Sequence, residues 1–281
     1  MNTTKTKRLA AFLISLVMML SLIPTQVWAA PTSERYGLSA LSTMENSENL
    51  VWAYNTLDSA VAAGQETVPF TDETHAVSSN ELDLVWEVYC YDHPEFFWLS
   101  AYNYEFGKGK VKNVFLTYAL AGDELTAART AFNAATEEAL SGITADMDDL
   151  AKEIYLHDYL ANKVTYVAAA NAHNAYGALV EGQAVCEGYS RAFQHLLLQV
   201  GIPCYVVLGT GKGQPHMWNL VKINGEYYHV DLTWDDGNNG TYYAYFNVTT
   251  EQILENHTIT VPIHGIPTPP VSYTHLTLPT T

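Results

Sequence analysis

An Asn-Gly pair at residues 224–225 limits the folds open to this 281-residue chain more than any other feature. Strand-like runs flank the pair, and this arrangement is the strongest short-range signal for a β-hairpin with a two-residue turn. Such a turn fixes the register, so that Ile223 pairs with Glu226. The sequence therefore predicts an antiparallel hairpin formed by residues 216–223 and 226–234.

The same register places a histidine beside a carboxylate. Trp218 comes opposite Asp231, and His216 lies two residues from Trp218, on the face of the sheet that carries Asp231. A four-residue loop would keep this parity, whereas a three-residue loop would break it. A carboxylate can hold a neighbouring imidazole in one tautomer and orientation, as a nucleophilic triad requires.

Cys186 stands where a loop of small residues is followed by a helical pattern. Apolar residues recur at three- and four-residue steps over residues 189–200, and a glycine and a proline then end the helix. This predicts Cys186 at a helix N-terminus, where unpaired N–H groups and the helix dipole favour a thiolate over a thiol. A lone cysteine here is either a buried core residue or a nucleophile, and the histidine and aspartate downstream favour the nucleophile.

Together these motifs resemble the transglutaminase-like superfamily of cysteine enzymes, over roughly residues 150–255. The resemblance implies a papain-like core in which the nucleophile helix packs against an antiparallel sheet. It also implies that Cys186 is the nucleophile, His216 the general base and acid, and Asp231 the orienting carboxylate. The matching blocks are Gly182-x-Ala-Val-Cys-Glu-Gly-Tyr-Ser190, Gly201-Ile-Pro-Cys204, His216-x-Trp-Asn219 and Tyr228-His-Val-Asp231-x-Thr-Trp234.

We therefore expect an α+β protein with the papain/transglutaminase-like core at residues 146–255 and a smaller α+β scaffold region at residues 30–145. Residues 1–29 have the positive start, short apolar stretch and small-residue cleavage site of a secretory signal peptide. The alternative, a membrane anchor, is disfavoured because the apolar stretch is short for a span. We expect an exported bacterial-type protein, secreted or at the cell surface, with no stable membrane insertion after the signal is removed.

Residues 256–281 carry no Asp, Glu, Lys or Arg and are rich in Thr and Pro. We expect this tail not to fold like the rest, and its end resembles cloning sequence rather than natural sequence. We further predict a flexible loop over the active site at residues 210–215, a closing strand at residues 242–248, and a helix capped by Asn80.

Charge and cysteine content narrow the partners. The formal net charge is −17, and it is near −20 without residues 1–29, which carry three positive and no negative charges. Such a surface repels phosphates, so nucleic acid is not an expected partner. Three cysteines form no disulfide framework, and pairing of Cys90 with Cys204 stays open. The spacings typical of zinc ligands do not occur, so we expect no metal and no cofactor.

The predicted chemistry is cysteine-dependent acyl transfer to a protein, peptide or cell-wall peptide substrate. A peptidase or amidase is the leading interpretation; a protein-glutamine transamidase and a non-catalytic peptide- or glycan-binding module are the alternatives. The Cys186 N–H can donate to an oxyanion, and a second donor is needed. Gln183 and Trp218 are the candidates for that donor, and Tyr189 and Trp234 are further candidates for substrate contact. Two other histidines, His93 and His157, are interpreted as structural.

Overall fold

The computed structural model describes residues 35–237, 240–260, 271, 272, 274 and 276. The predicted signal peptide lies outside the described residues. Among the helices that the structure describes, none combines the length and apolar character that a membrane crossing requires.

The described residues before the predicted core, 35–145, form four helices and a small antiparallel sheet. Its strands lie in the order β1-β3-β2. The elements are α1 (Tyr36–Leu41), α2 (Ser47–Ala62), β1 (Thr67–Pro69), α3 (Ser79–Asp92), β2 (Leu99–Gly107), β3 (Lys110–Tyr118) and α4 (Gly122–Leu140).

Helix α3 begins with a capping box. The Ser78 hydroxyl accepts a hydrogen bond from the Glu81 backbone N–H, and the Glu81 carboxylate accepts one from the Ser78 N–H. The predicted cap at Asn80 is wrong by two residues, because the reciprocal Ser-x-x-Glu pair satisfies two free N–H groups and Asn80 already lies inside the helix.

The second half of the described chain contains the main sheet and the helix that packs on it. The strand order in that sheet is β11-β6-β7-β8, and every neighbouring pair is antiparallel. The elements are α5 (Asp149–Lys163), β4 (Thr165–Tyr166), a π-helical turn (Gly177–Glu181), β5 (Gln183–Ala184), α6 (Cys186–Gln199), β6 (Cys204–Gly211), β7 (Gln214–Ile223), β8 (Glu226–Val230), α7 (Leu232–Asp235), β9 (Asp236–Gly237), β10 (Gly240–Thr241), α8 (Thr250–Ile253) and β11 (His257–Ile259).

The hairpin at residues 216–230 has the predicted register. Ile223 pairs with Glu226, and Asn224 and Gly225 have φ of 53° and 85°, the left-handed backbone that a tight two-residue turn needs. The alternation of buried residues along the hairpin therefore decides which side chains face α6 and which face the opposite side of the sheet.

The main sheet is covered on both faces. Helix α6 buries Tyr189, Phe193 and Leu196 in a core that includes Val221 and Val230 of the sheet. Side chains of the same sheet join helices α1, α2 and α3 in a second core; they are Tyr205, Val207, Trp218, Leu220 and Tyr227. The N-terminal region is thus packed against the sheet that carries the predicted site.

Two predicted segments have a different structure. The flexible loop expected at residues 210–215 is a tight turn, because β6 and β7 stay paired up to Gly211 and Gln214 and only Lys212 and Gly213 connect them. The closing strand expected at residues 242–248 is an irregular segment whose aromatic side chains anchor it, and its ladder contact is a single bridge between His229 and Val248.

The expectation that the chain beyond Asn256 stays outside the fold is wrong for its first residues. His257–Ile259 pairs with residues 209–211 as the edge strand of the main sheet. The sheet edge supplies hydrogen-bond partners that composition does not reveal, and His257 is buried behind them. Val271 also forms a bridge with Tyr227.

Candidate active site

Cys186 is the first residue of α6, as predicted. Its side chain is half-buried, and Val185 precedes it with extended backbone. A Cβ at Gly188 would lie 2.3 Å from the Ala172 carbonyl oxygen, so only glycine lets the segment before the nucleophile loop lie this close to the helix. The thiol therefore lies at the free N-terminus of a helix, in a tightly packed loop.

His216 links the thiol to a carboxylate. Its Nε2 lies 2.8 Å from Asp231 Oδ2, and the Cys186 thiol lies close enough to interact with the ring. Burial by itself disfavours the imidazolium, but the hydrogen bonds and the charges of Asp231 and Cys186 outweigh it and raise the pKa of His216 to about 9. The geometry therefore stabilises a cationic imidazole beside the thiol.

The Asp231 carboxylate is held from three directions. Its Oδ1 accepts the Trp234 backbone N–H at 3.3 Å. Its Oδ2 lies 2.8 Å from His216 Nε2 and 3.0 Å from the Nε2 of a second histidine, His257. Burial opposes ionisation, but the hydrogen bonds from the two imidazoles prevail and lower the pKa of Asp231, so the group is a carboxylate.

The structure brings together some of the further predicted side chains but not all. Trp218 is fully buried, and its indole N–H donates to His229 Nδ1 at 2.9 Å, which leaves no proton for an oxyanion. Tyr189 is also buried; its hydroxyl lies 3.0 Å from the Val164 carbonyl oxygen. Neither side chain is therefore positioned for substrate contact.

Gln183 and Trp234 are the accessible members of that set. Gln183 is exposed in β5 and pairs with Thr165. The Trp234 ring is partly buried, with its centroid 5.4 Å from that of His216, and Lys212 Nζ lies 4.7 Å from the same ring. Trp234 thus covers the histidine on one side, in contact with the turn after β6.

Tyr166 lies next to Cys186, although no motif in the sequence indicates this contact. Its strand pairs in parallel with β5, so that Tyr166 is the partner of Ala184, two residues before Cys186. Its ring stacks on that of Tyr189, with 6.3 Å between the centroids, the residue is 57% exposed, and its hydroxyl lies near the Cys186 backbone N–H. Only the pairing of β4 with β5, which joins segments 18 residues apart, reveals the contact.

Among the described residues, His257, Asp231 and His216 form a cluster of three side chains that could ligate a metal ion. Their donor atoms lie within 4.8 Å of one another. Two ligands of one zinc ion, each about 2.0–2.2 Å from the metal, stand roughly 3.3 Å apart in tetrahedral geometry. The observed 2.8 and 3.0 Å distances are instead those of charge-assisted hydrogen bonds, which satisfy the carboxylate without a metal.

The other two cysteines are free thiols in different surroundings. Burial raises the pKa of Cys90 to about 12 and that of Cys204 well above its usual value. No disulfide joins them, and each favours the protonated form. Among the three cysteines, Cys186 is the one that interacts with the cationic imidazole of His216.

Comparison with known proteins identifies the family that the core resembles. Residues 137–232 match the sequence model of the transglutaminase-like superfamily. Over these residues the chain is similar to a transglutaminase-like domain. The predicted family resemblance and the predicted fold class are thereby confirmed, and the domain contains Cys186, His216 and Asp231, whereas His257 follows it.

Solved structures with a similar fold are distant from the chain. One is a TGase, with 15% identity, a TM-score of 0.34, and coverage of 61% of this chain and 51% of that chain. Another is a candidate cysteine protease from Cytophaga hutchinsonii, with 16% identity, a TM-score of 0.33, and coverage of 47% and 54%. The alignments span about half the length of these structures. No curated protein matches the chain.

Proposed function

We propose that the protein is an exported cysteine-dependent acyl-transfer enzyme that hydrolyses peptide or amide bonds. The observation that carries this proposal is the position of His216, whose ring is hydrogen-bonded to the buried Asp231 carboxylate and also interacts with the Cys186 thiol. A structural histidine needs one partner; an imidazole between a thiol and a carboxylate has the arrangement of a general base and acid.

The first half of the reaction makes a thioester. The Cys186 thiolate attacks the carbonyl carbon of the scissile bond, and a C–S bond forms while the carbonyl electrons move to oxygen. The Cys186 N–H donates to that oxyanion. His216 then gives its proton to the leaving nitrogen, the C–N bond breaks, and an amine departs.

Tyr166 supplies the second donor to the oxyanion. In the free enzyme its hydroxyl lies near the Cys186 N–H, the group to which a substrate oxygen would bind. A small shift of this exposed side chain lets the substrate oxygen accept from both the N–H and the phenol. Tyr166 therefore takes the role for which Gln183 and Trp218 are the sequence candidates.

The second half of the reaction favours water as acceptor. His216 removes a proton from the attacking molecule as the thioester opens, and an acid product and free thiol result. Transfer to an amine requires that water be kept from the thioester. Here the nucleophile is half-buried and its neighbours Tyr166 and Gln183 are exposed, so that water has access.

A single experiment tests the proposal. The mature protein is incubated with a mixed proteome, with peptidoglycan fragments, and with a primary-amine probe, and mass spectrometry detects cleaved bonds and attached probe. We expect cleavage that Cys186→Ala abolishes and that the control Cys90→Ala retains. Cysteine-dependent attachment of the probe to glutamine would replace hydrolysis by transamidation, and the absence of both signals would favour a binding module.

A further inference from the structure

A second histidine is hydrogen-bonded to the Asp231 carboxylate that holds His216. His257 Nε2 lies 3.0 Å from Asp231 Oδ2, the same oxygen that lies 2.8 Å from His216 Nε2. All three side chains are buried. Two imidazole N–H groups therefore converge on one carboxylate oxygen, while a backbone N–H holds the other oxygen.

The ring of His257 is itself fixed. Its Nδ1 lies 2.7 Å from Asn256 Oδ1, and Asn256 Nδ2 donates to the Tyr245 hydroxyl at 2.8 Å. The Trp234 ring lies 4.2 Å from it and the Trp218 ring 5.0 Å, measured between centroids. With a rigid aromatic enclosure and a partner on each ring nitrogen, His257 can hold the carboxylate in one orientation.

The position of His257 in the chain separates it from the rest of the site. It begins β11, which pairs with the end of β6 at Gly211, next to the turn that leads to β7 and His216. It lies 25 residues beyond the end of the family match at residue 232. The strand that follows the transglutaminase-like domain thus completes the surroundings of Asp231.

We propose that His257 is a positioning residue of the active site, which acts through Asp231 to fix the orientation and charge of His216. The role of His257 in the reaction rests on the proposed function, whereas its contacts with Asp231 do not depend on that function. Its support is the shared oxygen of Asp231 and the complete set of contacts around the His257 ring. The hydrogen bond from His257 also helps to keep the pKa of Asp231 low.

The groups that face this pair of histidines are few among the described residues. They are Asp231, His229, Tyr245 and Cys186, with Asp235 and Tyr166 near enough to interact with the carboxylate and Lys212 on the Trp234 ring. His229 donates nothing to Asp231 and bonds to Trp218 and Thr250 instead. It is therefore a matched control: a buried histidine of the same sheet that does not contact the carboxylate.

The test compares His257→Gln, which keeps an N–H donor without a titrating ring, with His257→Phe, which keeps the bulk and loses the donor. The rate at which iodoacetamide alkylates Cys186 is measured from pH 5 to 9. Thermal melting is measured separately to show that each variant is folded. We expect His257→Phe to lower the rate at pH 6.5 by about 10-fold or more, as for other lost orienting partners. His257→Gln should retain most of the alkylation rate. His229→Gln should leave the pH dependence of that rate unchanged.

A second readout is independent of the activity. In Cys186→Ala protein with ¹⁵N-labelled histidine, the titration of the His216 ring is measured by NMR for each variant at position 257. A shift in His257→Phe that His257→Gln does not show supports the inference even if no substrate is cleaved. An unchanged His216 titration together with an unchanged labelling profile in folded His257→Phe would overturn it. Cleavage by the wild type in that case would leave the proposed function standing.

Discussion

At the scale of the residue, the candidate site is a row of three interacting side chains, two of which are buried. His216 has Asp231 on one side and Cys186 on the other, and each contact favours the imidazolium. Since the same contacts orient the ring, protonation and geometry are coupled. The chemistry at Cys186 should therefore follow the titration of its partner, which differs from that of an ordinary histidine.

The pH dependence of activity follows from this coupling. With the pKa of His216 raised to about 9, the imidazolium persists through neutral pH and is lost as the pH rises through about 9. We expect kcat/KM, measured with a peptide substrate identified in the cleavage experiment, to fall as the pH rises through about 9. Asp231→Asn removes a contact that raises the pKa of His216, so the fall in kcat/KM should occur at lower pH in this variant. A fall at the same pH as in the wild type would contradict the assignment.

Tyr166 gives a prediction that separates chemistry from binding. Tyr166→Phe keeps the stack on Tyr189 and removes the hydroxyl at the Cys186 N–H. Loss of one oxyanion donor costs roughly 10²-fold in kcat in other enzymes, and we expect a loss of that order with little change in KM. Gln183→Ala is the matched control and should retain activity. Equal losses in the two variants would argue against a specific role for the phenol.

At the scale of the element, α5 carries buried titratable side chains that the candidate site does not use. Glu153 is fully buried and accepts a hydrogen bond from Asn247 Nδ2 at 2.8 Å. On the same helix His157, also fully buried, has its Nδ1 3.2 Å from Asp158 Oδ1 and its Nε2 3.4 Å from Asp235 Oδ2. These contacts join α5 to the segments that follow β8, which agrees with a structural role for His157.

Glu153 should make stability depend on pH. Burial raises its pKa to about 8, although Asn247 and His157 partly offset the rise. Between about pH 4.5 and 8 the folded protein keeps a proton that the unfolded chain has lost, so stability is greatest at low pH within this window and falls as the pH rises, by up to about 1.4 kcal/mol per pH unit.

Glu153→Gln imitates the protonated side chain and should remove that decline. Urea denaturation at pH 5 and pH 8 measures it: the variant should gain stability over the wild type at pH 8 but not at pH 5. Asp149→Asn, an exposed change in the first turn of the same helix, is the control and should leave the difference between the two pH values unchanged. An identical pH dependence in wild type and Glu153→Gln would refute the prediction.

At the scale of the whole molecule, the N-terminal region is part of the structure that supports the site. Arg191 of α6 donates to the Cys90 carbonyl oxygen at 2.8 Å, and Gln194 donates to that of Tyr91 at 2.9 Å. The nucleophile helix is thus tied to α3 as well as to the sheet. A cavity of about 480 Å³ lies between the two regions, with Glu187 and Trp86 in its walls.

Removal of the N-terminal region should therefore disrupt folding. A chain that begins at residue 146 would expose the sheet side chains that α1, α2 and α3 cover, among them Tyr205 and Leu220. We expect it to aggregate on expression, as judged by gel filtration, and to become soluble when residues 30–145 are supplied as a separate chain. A soluble, cooperatively unfolding monomer without that partner would show that the core folds independently.

Local sequence signals determined much of this structure. The Asn224-Gly225 turn fixed the hairpin register and with it the common face of His216 and Asp231, because side chains alternate along strands. The helical period after Cys186 placed that residue at a helix N-terminus. Each of these inferences needs only neighbours within about 15 residues, and each agrees with the structure.

Only the tertiary structure decided which distant residues reach the site. The pairing of β4 with β5, two strands of two residues each, brings Tyr166 to the site. His257 lies in an edge strand, within a segment whose uncharged, Pro-rich composition predicts no folded structure. Trp218 was excluded as a donor because its indole N–H binds His229. Such contacts depend on which buried polar groups still need a partner once the sheet has formed, and that is a property of the packed molecule rather than of any stretch of its sequence.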